Sequence, residues 1–198
     1  MNGLKITLAA CLALLITGCF GSDQSWNAKE IDGLMPELSF TLTRSDGQTV
    51  TAEDYQGQIR LLFFGFTNCP DVCPTTMARL SQAIEAMPDE LKGTVTPLFV
   101  SVDPERDTPE KLAQYVGFFS DRAVGMTGDE DALRDLAKRY RTTFGYDEPD
   151  DRGNYNVSHS SAVYVFDGQG EARLLLRPDM SAEQITQDLT QLAQSGRS

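Results

Sequence analysis

The chain has 198 residues, a formal net charge of −12 and a single histidine. Its length suits one domain with a full core behind a short leader, and a hydrophobic content of 40% is ordinary for a globular protein. An acidic balance of this size argues against nucleic acid as a partner, because phosphate-binding surfaces need an excess of lysine and arginine.

Residues 1–5 are short and basic, and residues 6–17 form an apolar run too short to cross a bilayer of roughly 30 Å as a helix. This is the layout of a secretory signal peptide. Its end, Ile16-Thr17-Gly18-Cys19, is similar to a bacterial lipobox, which predicts removal of residues 1–18 and acylation of Cys19. The acylated chain is expected in the bacterial cell envelope, lipid-anchored to a membrane and facing the periplasm. Residues 19–32 then read as a polar tether, with Trp26 packed back on the domain, and residues 33–198 as the domain itself. Export places the thiols in an oxidising compartment. Cys11 falls in the leader, which leaves Cys69 and Cys73 as the free thiols of the mature domain.

Within the domain, Leu38, Phe40 and Leu42 alternate with polar residues and predict a half-buried strand, closed by a turn at residues 45–48. Residues 61–66 are continuously apolar and read as a buried parallel strand; residues 75–87 are periodic and read as a helix. A second apolar strand spans 95–102. Thr108 then caps a helix that opens on Pro109 and runs to about Phe119. A short strand at 124–127 and a helix at 129–140 precede a long loop or hairpin over 142–158. Strands at 161–166 and 172–176, joined by the turn Asp167-Gly168-Gln169-Gly170, lead to a closing helix at 181–193. The alternation predicts an α/β, thioredoxin-like fold with a central mixed β-sheet flanked by helices.

Cys69 and Cys73 fall between a strand and a helix, at the end of an open α/β sheet where ligands collect. On the first turn of a helix, residues four apart share a face at roughly 5–6 Å between β-carbons. Such thiols can share a metal ion, close to a disulfide, or stand as plain buried thiols. The positive end of the helix is expected to favour thiolate.

Three stretches resemble the Sco/SenC family, copper-binding thioredoxin-fold proteins that help assemble cytochrome c oxidase. Phe66-Thr67-Asn68-Cys69-Pro70-Asp71-Val72-Cys73-Pro74 matches the family's Cys-Pro-x-x-Cys-Pro site. Phe99-Val100-Ser101-Val102-Asp103-Pro104-Glu105-Arg106-Asp107-Thr108 matches its second signature, and Val157-Ser158-His159-Ser160 falls where the family keeps its histidine. The likeness runs from about residue 30 to 195. Many members carry an aspartate just before that histidine; Ser158 stands there in this chain.

The resemblance implies a metallochaperone that holds a copper ion, Cu(I) or Cu(II), on Cys69, Cys73 and His159. It would deliver the ion to the CuA centre of cytochrome c oxidase subunit II, or to another copper-accepting subunit. Thiolates select Cu(I), and imidazole suits both oxidation states. Structural zinc asks for four protein ligands, which the mature chain lacks. The alternative is a thiol–disulfide reductase that uses Cys69 and Cys73 as its redox pair, keeps the CuA cysteines reduced and draws on a thioredoxin-like reductant. No proline lies between Pro149 and Pro178, where such reductases usually place one before a strand, and this favours the carrier. A copper or redox sensor is a third reading. Asp103 and Asp71 are candidates for outer support of the site, with Asp103 leaning to local turn chemistry. The acidic stretch from Tyr146 to Asp151 is expected to be mobile, so that His159 can swing away and release the ion.

Overall fold

The computed structural model describes residues 25–196. The leader and the acylation site expected at Cys19 lie outside the described residues. In chain order the elements are β1 (Lys29–Glu30), β2 (Thr41–Arg44), β3 (Thr49–Thr51), β4 (Ile59–Gly65), α1 (Val72–Glu85), α2 (Asp89–Lys92), β5 (Val95–Ser101), α3 (Pro109–Phe119), β6 (Val124–Thr127), α4 (Glu130–Arg139), β7 (Phe144–Tyr146), β8 (Val157–His159), β9 (Val163–Phe166), β10 (Ala172–Leu176) and α5 (Ala182–Ser195).

Eight strands form one mixed sheet in the order β1-β10-β9-β4-β5-β6-β2-β3. Its centre is parallel: β4 pairs with β5 and β5 with β6, while β9 runs antiparallel along the other side of β4. Every residue of β4 and β5 is buried, as a strand covered on both faces requires. Successive side chains of β4 serve opposite faces. Phe63 meets Phe99 and His159, whereas Phe64 meets Tyr164, which in turn packs on Tyr140. The crossover helix α1 packs against both α3 and α5. Among the described residues no helix is long and apolar enough to cross a membrane.

The helix starts follow the sequence signals. Thr108 accepts a bond from the Lys111 amide with Pro109 in the first turn, Asp129 accepts from Ala132, and Ser181 forms a reciprocal capping pair with Gln184. The loop or hairpin expected over 142–158 is a hairpin: β7 and β8 pair in a separate two-stranded sheet. The acidic stretch between them carries its own bonds. Asp147 N donates to Asn156 O, and the Asp150 carboxylate accepts from the amides of Arg152 and Asn154.

The tether expected to run to residue 32 ends sooner. Asp188 on α5, itself buried, accepts bonds from the backbone amides of Asn27 at 3.0 Å and Ala28 at 2.8 Å and from Asn27 Nδ2 at 3.0 Å. The chain then pairs through β1 with β10, and Ala28 and Ile31 enter the core. The physical reason is a long-range one: a carboxylate 160 residues away satisfies amides that local composition leaves to water. Asp188→Ala is expected to cost about 2 kcal/mol, from the loss of charge-assisted bonds to buried amides. Hydrogen exchange checks it: the Asn27 and Ala28 amides should lose protection while those of β4 and β5 keep theirs.

Candidate metal centre

The central strand ends at Gly65, and the residue is glycine for a steric reason. A β-carbon there would stand 2.7 Å from the Phe99 ring and 3.0 Å from Cys73 Sγ. Only glycine lets the sulfur and the ring close on the backbone at this point. After β4 the chain turns through residues 66–71 before α1 begins at Val72. Cys73 lies in the first turn of α1 and is fully buried, with 0% of its surface exposed. Cys69 lies in the turn ahead of the helix, half-exposed, and its sulfur accepts a bond from the Cys73 amide at 3.3 Å. The two thiols are therefore brought together by the turn, not by the shared helix face that their spacing suggested.

His159, the last residue of β8, completes the group. Its Nε2 lies 3.3 Å from Cys73 Sγ across 86 residues of sequence, and its Nδ1 lies 2.9 Å from the Ser160 carbonyl. A carbonyl only accepts, so Nδ1 donates to it and Nε2 is the ring nitrogen turned to the sulfur. Ring edges from Phe66 and Phe63, with centroids at 5.6 and 6.0 Å, hold the imidazole between them. The ligating atoms of Cys69, Cys73 and His159 all lie within 4.8 Å of one another, and no other such cluster occurs among the described residues. Ser158 points the other way, donating its hydroxyl to Gly145 O at 3.2 Å. The backbone carbonyl of Ser160 orients the imidazole of this chain.

Burial pushes the Cys73 thiol well above its ordinary range, and a backbone bond from Phe66 offsets only part of this. Burial thus works against the thiolate expected from the helix terminus. Its sulfur instead finds a polar partner in His159 Nε2.

Two buried carboxylates support the site from behind. Asp107, 1% exposed, accepts from Thr67 N at 2.8 Å, Thr67 Oγ1 at 2.5 Å and Ser101 Oγ at 2.6 Å, which ties the cysteine turn to the end of β5. Sequence reasoning had Asp107 within the second signature, beside Asp103 at the strand end, but gave it no role; its bond to Thr67, two residues ahead of Cys69, supplies one. Asp103, also fully buried, does more than close a local turn. It accepts from Arg106 Nε and from the Tyr155 hydroxyl, each at 2.6 Å. Asp71 is exposed and bonds Thr75 Oγ1 at 3.3 Å, beside the helix start and outside the cluster.

The SCO1/SenC family model matches residues 31–194. The chain belongs to the SCO1/SenC family. Among its relatives, the mitochondrial SCO1 homolog of Homo sapiens is 39% identical over 138 residues, covering 67% of this chain and 44% of the human protein. This SCO1/SenC chain spans about half or less of the first curated relatives it matches, 53% for sco1 of Schizosaccharomyces pombe and 37% for an Arabidopsis thaliana homolog. Among solved structures, Bradyrhizobium japonicum ScoI with copper bound is 32% identical at a TM-score of 0.71, covering 79% of this chain and 98% of that one. Apo Sco1 from Thermus thermophilus is 35% identical at a TM-score of 0.75, covering 87% and 99%. The SCO1/SenC chain shares their thioredoxin-like architecture.

Two outcomes are expected from this geometry. Gly65→Ala should cost about 1–3 kcal/mol through overpacking, read as a lower denaturant midpoint. In the reduced, metal-free protein, alkylation mapped by mass spectrometry should find Cys69 first. Labelling of Cys73 should be slow and keep accelerating from pH 7 to pH 9, because its raised thiol pKa leaves little of the reactive thiolate at neutral pH.

Proposed function

We propose that this protein binds one copper ion through Cys69, Cys73 and His159 and delivers it to the CuA centre of cytochrome c oxidase subunit II. In this reading the acyl group on Cys19 holds it at a bacterial membrane with the domain in the periplasm. The observation that carries the reading is the convergence of two sulfurs and the chain's only imidazole within 4.8 Å. Two soft thiolates and one nitrogen suit Cu(I), which accepts two or three ligands, and fall short of the four protein ligands of structural zinc. Loading replaces the Cys73 thiol proton with a cation in a site that burial has made poor for a bare thiolate. The layout also suits release. Cys69 and His159 reach the surface and Cys73 does not, so an acceptor's ligands meet the ion from the Cys69 side and displace Cys73 last.

An exposed sulfur above a buried one is also the layout of an attacking and a resolving thiol, which supports a second reading as a thiol–disulfide reductase for the same oxidase subunit. His159 separates the two, since dithiol exchange has no need of it. Titration of the full chain with Cu(I) should show one equivalent bound, lost in Cys69→Ser and Cys73→Ser. His159→Ala should abolish support of oxidase assembly at limiting copper while thiol–disulfide exchange continues. A His159→Ala strain that assembles the oxidase normally would reject the carrier in favour of the reductase.

A further inference from the structure

We propose that Asp103, Arg106 and Tyr155 form a latch that positions His159, and that this latch sets how firmly the third ligand is held. The inference rests on reading Cys69, Cys73 and His159 as copper ligands. It starts from a weakness. His159 sits on β8, which pairs only with β7, over three residue pairs, in a sheet separate from the main one. A two-stranded ribbon of this size is marginal in water, so its place must be fixed from outside.

The outside fixture is the loop after β5. The Tyr155 hydroxyl donates to Asp103 at 2.6 Å, and Arg106 Nη1 donates to the Tyr155 carbonyl at 2.9 Å. Arg106 Nε closes the triangle on Asp103 at 2.6 Å, and its guanidinium lies 3.6 Å from the centre of the Tyr155 ring. One arginine therefore grips both the backbone and the ring of a residue four positions ahead of His159. A second strap joins the same two segments, from the Tyr146 hydroxyl to Val102 O at 2.7 Å. The Arg106 guanidinium also lies 5.9 Å from the centre of the Phe66 ring, the ring whose contact with the imidazole is the closer of the two. Arg106 thus borders both things that aim His159: the ribbon that carries it and the aromatic wall it rests on.

The arrangement is directional. Asp103 is fully buried and relies on these two donors, so it favours the closed latch over one in which Tyr155 has moved away. Arg106 and Tyr155 lie at the partly exposed edge, where the ribbon can lift without opening the core. Neither touches a sulfur, so both are positioning residues. Arginine suits this role because its planar fork bonds the carboxylate and the carbonyl together and stacks on the ring, which a lysine cannot reproduce.

The test uses the full chain and the variants Tyr155→Phe, Arg106→Lys and His159→Ala. Tyr155→Phe keeps the ring and removes one hydroxyl, so it reports even if Arg106→Lys fails to fold. In the metal-free protein, both latch variants should speed amide exchange at Val157 and Ser158. In the loaded protein, Cu(II) affinity should fall by roughly tenfold to a hundredfold, the range for residues that orient a metal's ligands. The nitrogen hyperfine coupling of His159 in the electron paramagnetic resonance spectrum should weaken with it. In a His159→Ala background, Tyr155→Phe should cost no further affinity, because the two act through one ligand. Unchanged affinity and nitrogen coupling in Tyr155→Phe, or losses that add in full to those of His159→Ala, would overturn the latch while leaving the three-ligand site standing. If His159→Ala itself binds Cu(II) as the parent does, the copper-ligand reading falls, and the latch with it.

Discussion

The sulfur of Cys73 rests against the last backbone unit of the central strand, and the rest of the site follows from that contact. Gly65 leaves the space, and Phe99 closes it from β5. Because α1 starts at Val72, Cys73 is carried under the turn and out of water, and Cys69 is left above it in the turn, nearer the surface. A buried polar sulfur needs a partner, and His159 supplies one from a distant part of the chain. Strand end, helix start and imidazole are parts of a single packing solution.

The supporting carboxylates divide the work. Asp107 binds inward, to Thr67 and Ser101, and fixes the cysteine turn to the sheet. Asp103 binds outward, to Arg106 and Tyr155, and reaches the hairpin. Both stand on the short connection between β5 and α3, so one loop steadies both halves of the donor set. Neither approaches the sulfurs as a ligand. Two sulfurs and one nitrogen form a soft donor group of the kind that suits copper.

Much of this was legible in the chain. The buried strands announced themselves as apolar runs, and the cap at Thr108 stood where a short polar side chain precedes a periodic segment; Asp129 and Ser181, read as first helical residues, are the caps of theirs. Cys69, Cys73 and His159 were recognisable together only through the stretches that resemble the family, since the thiols alone fit a metal, a disulfide or plain burial. The missed features share a cause: each depends on partners far off in sequence. Asp188 gathers the amides of residues 27 and 28, Arg106 reaches Tyr155, and desolvation of Cys73 comes from Gly65, Phe99 and His159 together. Local periodicity carries no trace of such pairings. The β7–β8 ribbon was legible only as one of two readings, loop or hairpin, since Gly145 and Pro149 mark a loop more strongly than three residue pairs mark a ribbon.

The small ribbon has one more property. Along β8 the side chains alternate, so His159 faces the thiols while Ser158 faces Gly145. A slip of one residue in pairing would exchange these faces and present a hydroxyl to the sulfurs. The bonds from Asp147 to Asn156 and from Asp150 to Asn154 continue the ladder into the loop, and act as extra teeth that fix the register. The choice between a nitrogen and an alcohol beside the sulfurs is thus encoded in strand alignment, and a single inserted or deleted residue in that loop would change it without substituting Cys69, Cys73 or His159.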